Sequence, residues 1–166
     1  KPVMEKYFPK VYFPLFEKHS NGLDPYLLMA LARRESAFNA RALSRTRAKG
    51  LMQLMPGTLR GLSFDKNLFD PDANVFVGSR YLNDLLGRAN GQIHLALAAY
   101  NAGPNRVEEW VTRYPMVDPV LFSDLIPFRE TRDYVAAVIR NYYWYRRIHQ
   151  NDTGIQTNQL LQLSSS

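Results

Sequence analysis

Glu35 stands where a carboxyl group could work as an acid. It follows the apolar stretch Tyr26-Leu27-Leu28-Met29-Ala30-Leu31-Ala32 and is itself followed, two residues on, by a polar and basic segment. A carboxyl at such a helix end loses hydration to its apolar side, which disfavours the charged form and keeps the proton on near neutrality. Taken alone, Glu35 reads more simply as a solvated glutamate paired with a cation across a turn. Its company changes that. The run Gly50-Leu51-Met52-Gln53-Leu54-Met55-Pro56-Gly57-Thr58 sets an uncharged amide and two thioethers between a turn glycine and a helix-opening proline. An amide can bind sugar hydroxyls and N-acetyl groups, whereas Met52 and Met55 alone are core filler and Gly50 alone is a turn. Ala99-Tyr100-Asn101-Ala102-Gly103-Pro104 then places a phenol and an amide at a helix end, which by itself is no more than a C-cap.

The elements that must position these groups are helices. Apolar residues recur at helical spacing through most of the chain, and strand-like alternation bounded by turn residues is hard to find. The expected fold class is all-α. Phe8 to His19 is apolar but interrupted by Pro9 and Pro14, and Ser20-Asn21-Gly22 stops it. Asp24-Pro25 supplies an N-cap and a proline at the first helical position, opening the helix that runs into Glu35. Residues 37–54 read as a loop, rich in arginine from Arg41 to Lys49, and Pro56 starts a short helix. Asp70-Pro71-Asp72 caps a helix closed by Asn90-Gly91, Gln92 to Tyr100 forms another, and Asn105 to Tyr114 and Asp118 to Leu125 are short ones. Thr131 to His149 is a long terminal helix with Tyr134, Val135, Val138, Ile139 and Tyr142 on one face. The expected organisation is one domain over residues 1–150 and a polar tail over residues 151–166, to which no function is assigned.

Composition narrows the chemistry. The 166 residues, 46% of them hydrophobic, suffice for one core, and the absence of cysteine removes disulfides, thiolate metal sites and cysteine nucleophiles. His19, His94 and His149 lie far apart without zinc-ligand spacing, so a histidine-built zinc site has little support. The net charge of +6 favours a polyanionic partner, which could be nucleic acid, an anionic membrane surface or a glycan with carboxylate-bearing peptides; solubility alone explains it about as well. No window approaches the roughly 20 apolar residues of a membrane-spanning helix. The N-terminal Lys1-Pro2-Val3-Met4-Glu5 lacks the plan of a signal peptide, so the chain reads as a mature or excised domain.

Together, Glu35-Ser36, Gly50-Leu51-Met52-Gln53 and Ala99-Tyr100-Asn101 resemble, in order and spacing, the three signature motifs of the soluble lytic transglycosylases, a lysozyme-like family that cleaves peptidoglycan. Ile126-Pro127-Phe128-Arg129-Glu130-Thr131-Arg132-Asp133-Tyr134-Val135 and Leu68-Phe69-Asp70-Pro71-Asp72-Ala73-Asn74 resemble two further family segments. The match covers residues 7 to 149. It implies a lysozyme-like helical domain, related to the goose-type lysozymes, with an active-site cleft and no cofactor. Glu35 would protonate the oxygen between N-acetylmuramic acid and N-acetylglucosamine and then take a proton from the muramyl C6 hydroxyl, leaving a 1,6-anhydro end. Ser44 would help bind the muramyl group, Gln53 and Met55 would line sugar subsites, Tyr100 would lie against the reacting ring with Asn101 beside it, and Glu130 would contact substrate. Glu130 also has a simpler reading, an acid favoured by the helix dipole in the first turn. Peptidoglycan strands would be the partner, the location periplasmic, and the chain a monomer.

The chain departs from the family wording at Arg34, often Gln there, and in the basic loop Arg41 to Lys49, where the family commonly has "SP-x-GA". Two rival functions remain open at this level. A goose-type lysozyme-like hydrolase would need a second acid to activate water, for which Asp65, Asp70 and Asp72 are available, the latter two being better explained as turn and cap residues. A non-catalytic glycan- or nucleic-acid-binding domain would use the aromatic and basic run Ile139 to Arg147, though on a helix that run divides into a buried aromatic face and a solvated basic one.

Overall fold

Helix starts follow the prolines. The computed structural model describes residues 2–59, 67–114 and 119–150 and contains α1 (Pro2–Tyr7), α2 (Phe13–Lys18), α3 (Pro25–Ser36), α4 (Pro71–Arg88), α5 (Ile93–Ala102), α6 (Pro104–Arg113), α7 (Pro119–Leu125) and α8 (Arg129–His149). A single 3-10 turn, Pro56–Leu59, follows the long loop. Six of the eight helices carry proline in the first turn, where its missing N–H removes no internal bond and its fixed φ is already helical. Asp24 caps α3 as expected, its Oδ1 accepting the Tyr26 amide at 2.9 Å. Among the described residues there is no strand; the loop holds only isolated bridges between Leu43 and Lys49 and between Lys49 and Leu54.

The expected boundaries shift by a few residues, except at the N-terminus. Within the apolar segment Phe8 to His19, Phe13–Lys18 is helical, and a separate helix, Pro2–Tyr7, precedes it. Asp65 and the tail 151–166 lie outside the described residues.

α3 is the axis of the domain. Tyr26 through Ala32 are all buried, so the helix is covered on every side over two turns. α8 runs antiparallel along it, burying Thr131, Tyr134, Val135, Val138, Tyr142, Tyr145 and Ile148 at helical period. Its arginines Arg140 and Arg147 are exposed, so the aromatic and basic run does divide between core and solvent. α5 packs on α8 and is nearly all apolar, with Ala96, Leu97, Ala98 and Ala99 buried. α4 completes the core with Val75, Val77, Leu82 and Leu85.

Candidate active site

The site begins where α3 ends. Ala37 adopts φ 49° and its N–H donates to the Arg33 carbonyl at 3.0 Å, and Phe38 follows at φ 64°, so the chain turns away immediately after Ser36. Two successive left-handed residues cannot continue a right-handed helix. Glu35 is left in the last turn, half-buried, facing α8.

There the buried Tyr134 hydroxyl donates to Glu35 Oε1 at 2.5 Å. Loss of hydration pushes the Glu35 carboxyl up to about 7, against the Tyr134 bond and the Arg34 charge, which both pull it down. Burial, and then the Glu35 charge, raise the Tyr134 phenol well above its usual range, so it stays a donor. Among the described residues Arg34 is the charged group acting on Glu35, and no second carboxylate does so.

Tyr100 occupies the last turn of α5 with its hydroxyl donating to the Met52 carbonyl at 2.8 Å. Burial first, and then the charge on Glu35, raise its phenol well above the usual range, which places it within electrostatic reach of that carboxyl. The Met52 carbonyl is itself aimed by a staple from α4. Asn74, fully buried, accepts the Met52 amide at 2.8 Å and donates to the carbonyls of Lys49 at 2.9 Å and Leu68 at 2.8 Å. Gly50, at φ 78°, makes room for it: a Cβ there would stand 2.3 Å from both Asn74 Nδ2 and the Leu68 carbonyl oxygen. A Cβ at Gly78 would lie 2.3 Å from Met52 Sδ, so both glycines are needed for the motif to dock. The Ser36 hydroxyl closes the arrangement by donating to the Leu51 carbonyl at 2.8 Å.

The remaining expected residues divide. Gln53, at φ 50°, turns its amide nitrogen back onto the carbonyls of Ala42 at 3.2 Å and Gly50 at 2.9 Å, so that group ties the loop together. Ser44 likewise serves its own loop, its Oγ accepting the Ala48 amide at 2.9 Å. Met55 is 41% exposed, an apolar surface beside the motif, whereas Met52 is core. Asn101 Oδ1 accepts the Thr131 hydroxyl at 2.8 Å and fastens α5 to the start of α8. Glu130 is exposed in the first turn of α8. Of the expected set, then, Tyr100 lies within electrostatic reach of Glu35, while Gln53, Ser44 and Asn101 bond within the frame around it.

Tyr134 was absent from the expected site, although it closes the segment ending Asp133-Tyr134-Val135; its place on an apolar helix face marked it as core. Asp70 sits at the α4 N-cap without a side-chain cap bond, and Asp72 is held by Lys18 at 2.7 Å and His19 at 3.0 Å. Among the described residues no group of three or more His, Asp or Glu side chains could hold a metal ion, and no helix is long and apolar enough to cross a membrane. A cavity of about 270 Å³ between the end of α4 and the pair α5 and α6, lined by Leu85, Arg88, Leu95, Val107 and Val111, includes neither Glu35 nor Tyr134.

Residues 14–119 match the family model of the transglycosylase SLT domain. The chain belongs to that family. Over 155 residues it is 37% identical to the soluble lytic murein transglycosylase of Escherichia coli, an alignment that takes in 86% of this chain and 24% of the relative. It is 42% identical over 135 residues to a putative soluble lytic murein transglycosylase of Haemophilus influenzae, covering 74% of this chain and 22% of that one. The crystal structure of the 70 kDa soluble lytic transglycosylase of Escherichia coli superposes with a TM-score of 0.81 at 36% identity, over 87% of this chain and 25% of the other. That of an inactive mutant of the lytic transglycosylase Slt of Pseudomonas aeruginosa also gives 0.81, at 34% identity, over 89% of this chain and 26% of the other. This SLT domain thus spans about a quarter of the length of these relatives, and its fold is the all-α, lysozyme-like one expected from its sequence.

Proposed function

We infer that this SLT domain is a peptidoglycan lytic transglycosylase that cleaves the bond between N-acetylmuramic acid and N-acetylglucosamine, with Glu35 as acid and then base. The observation that carries the reading is a carboxyl held near neutrality at about 7, bonded at one oxygen by Tyr134, with Arg34 and no second acid acting on it among the described residues. A hydrolase of the usual kind needs a second acid. Here the substrate's own C6 hydroxyl takes its place. Glu35 gives its proton to the glycosidic oxygen as the anomeric C–O bond breaks. The carboxylate so formed takes the C6 hydroxyl proton as that oxygen bonds to the anomeric carbon, and Glu35 is again an acid. No water is consumed, and ring closure within one sugar gains the advantage of an intramolecular reaction, with effective molarities on the order of 10⁵ M.

Tyr134 donates to Oε1 throughout and so steadies the carboxylate that exists between the two transfers, leaving Oε2 to carry the proton. Tyr100, fixed against Met52, supports the reacting ring, with Asn101 beside it; Met55 offers an apolar surface to sugar, and the free oxygen of the Gln53 amide, Ser44 and Glu130 provide polar contacts further along the strand. The work is done in the periplasm, where the polymer lies, by a monomer, since one chain supplies Glu35, Tyr134 and Tyr100. Neither a cofactor nor nucleic acid takes part. The test is mass spectrometry of fragments released from purified peptidoglycan. Fragments one water lighter than hydrolysis products, with no reducing end, are expected; reducing-end products would mean a hydrolase.

A further inference from the structure

The last turn of α3 carries two arginines side by side, and the fold treats them differently. Arg33 is absorbed by structure: its guanidinium lies over the Phe8 ring at 4.3 Å and donates to the Tyr7 carbonyl, fastening the N-terminal segment to the core. Arg34 has no such anchor. It is exposed, and among the described residues no carboxylate comes within ion-pair distance of it. Other surface arginines are provided for within the fold: Arg88 with Asp84, Arg113 with Glu109 and Arg129 with Asp133, each one helical turn apart.

What Arg34 does meet is the Tyr134 ring, its guanidinium carbon 5.5 Å from the ring centroid and so within the roughly 6 Å reach of a cation–π attraction. That ring is buried, and its hydroxyl ends on Glu35 Oε1 at 2.5 Å. Cation, ring and carboxyl therefore form one chain of contacts leading from solvent to the acid. A guanidinium suits the outer place, because it is planar, weakly hydrated and able to lie against an aromatic face.

Charge points the same way. Loss of hydration is what keeps the proton on Glu35; against it, the Tyr134 bond and then the Arg34 charge favour the carboxylate. Glu35 is faced by Tyr134 from α8, by Tyr100 from α5 and by Arg34 from its own helix, and of these Arg34 alone is charged. Among the described residues no charged group of α4 or of the loop after α3 acts on it. The reaction creates a carboxylate at the C-terminal end of α3, where the helix dipole disfavours negative charge. A cation held beside it offsets that cost.

Resting on the transglycosylase reading, we propose that Arg34 is a positioning residue for the acid: seated on the Tyr134 ring, it holds that phenol to Glu35 and lends a charge to the carboxylate that exists between the two proton transfers. It acts through Tyr134 and through its field, without touching the sugar. The uncharged Gln often found at this position in the family supplies neither effect.

Two readouts keep the proposal apart from the reading on which it rests. Carboxyl-carbon NMR follows the titration of Glu35, with Glu35→Gln identifying its resonance, and needs no substrate; kcat for anhydro-fragment release is followed over the same pH range. Both are measured on the wild-type chain, Arg34→Gln, Arg34→Lys and Arg140→Gln, the last removing an equal charge from an exposed site on α8. In Arg34→Gln the carboxyl should bind its proton about threefold more tightly, a midpoint higher by about half a pH unit, with the alkaline limb of kcat following it. At about pH 5, where Glu35 is protonated, kcat should fall about threefold, because the carboxylate then formed has lost its cation. Arg34→Lys should return most of the midpoint, and about 1 M salt should move the wild type toward Arg34→Gln, since an exposed charge is screened. All three variants should melt close to the wild type, which sets unfolding aside. An unmoved midpoint in Arg34→Gln, an equal move in Arg140→Gln, or a Lys variant displaced as far as Gln would overturn the proposal. Release of no anhydro fragments by the wild type, with the midpoint still higher in Arg34→Gln, would instead bring down the transglycosylase reading and the role of Arg34 in the reaction with it.

Discussion

α3 carries a carboxyl side chain at each end, and the antiparallel α8 brings a tyrosine hydroxyl to both. At the start of α3, Tyr142 donates to Asp24 Oδ2 at 2.8 Å; at its end, Tyr134 donates to Glu35 Oε1 at 2.5 Å. The pairs differ in what surrounds the acid. Asp24 also accepts the Tyr26 amide at 2.9 Å, has Arg146 Nε at 3.7 Å, and sits at the positive end of the helix dipole. Glu35 sits at the negative end, with one phenol and the distributed charge of Arg34 set against a larger loss of hydration, which holds it at about 7. Carboxyl and phenol thus make a structural joint at one end and, at the other, leave a carboxyl that burial keeps protonated toward neutrality. The same two chemical groups, on the same two helices, meet in two different electrostatic settings.

The sharpest way to break this contrast is Glu35→Gln, which keeps the shape and removes the titrating proton. Loss of a general acid and base should lower turnover by about 10²–10⁴-fold, measured as anhydro-fragment release. Wild-type activity should also decline as pH rises through about 7, where Glu35 gives up its proton. Stability carries the same signature. Between the ordinary 4.5 and about 7 the folded chain holds a proton on Glu35 that the unfolded chain has released, so this group's contribution falls as pH rises through that window. Thermal melts should therefore show the Gln variant gaining over wild type at pH 8, on the order of 2 kcal/mol after allowance for partial exposure, with no such gain at pH 4. An equal difference at both pH values would remove Glu35 from the chemistry.

The next effect belongs to the other end of the helix. Asp24→Ala removes an N-cap and leaves the Tyr142 hydroxyl without its acceptor, a loss of about 2 kcal/mol in denaturant or thermal unfolding. Turnover per folded molecule, and its decline through pH 7, should not move. A variant that folded well but shifted the pH profile would show that the two ends are coupled through α3.

How these ends differ was only half legible in the sequence. Asp24-Pro25 announces itself because capping is local: the acceptor and the amide it satisfies are two residues apart. Glu35 was legible as a carboxyl on a helix end beside a loop. Its partner was not, because Tyr134 is ninety-nine residues away and on a helix face whose spacing identifies burial without saying what the buried hydroxyl touches. Gln53 and Ser44 show the reverse case. Their types suit sugar binding, but each also makes the local backbone bonds that a tight loop requires, and composition cannot divide those duties. Asn74 lay in a quoted segment, yet its three bonds to the 49–52 and 68 backbone depend on α4 crossing that loop, a tertiary fact. The basic loop shows in sequence as charge; that Arg47 stands at a glycine-favouring φ does not.

The finest test exchanges one hydroxyl at a time. Tyr134→Phe deletes a bond that lowers the Glu35 carboxyl, so its proton should be held to higher pH and the alkaline limb of activity should move above about 7. The carboxylate formed after the first proton transfer also loses its donor, so kcat should fall by about tenfold even where Glu35 is fully protonated. Tyr142→Phe deletes the matching bond to Asp24, where the Tyr26 amide and Arg146 remain. It should cost about 1 kcal/mol of stability and leave both kcat and the pH limb in place. If the limb moved in Tyr142→Phe and stayed in Tyr134→Phe, the incomplete compensation of Glu35 would not be what sets its proton affinity. A shift confined to Tyr134→Phe would tie that affinity to a single phenol, since the two deletions are chemically identical and differ only in how many donors the carboxyl keeps.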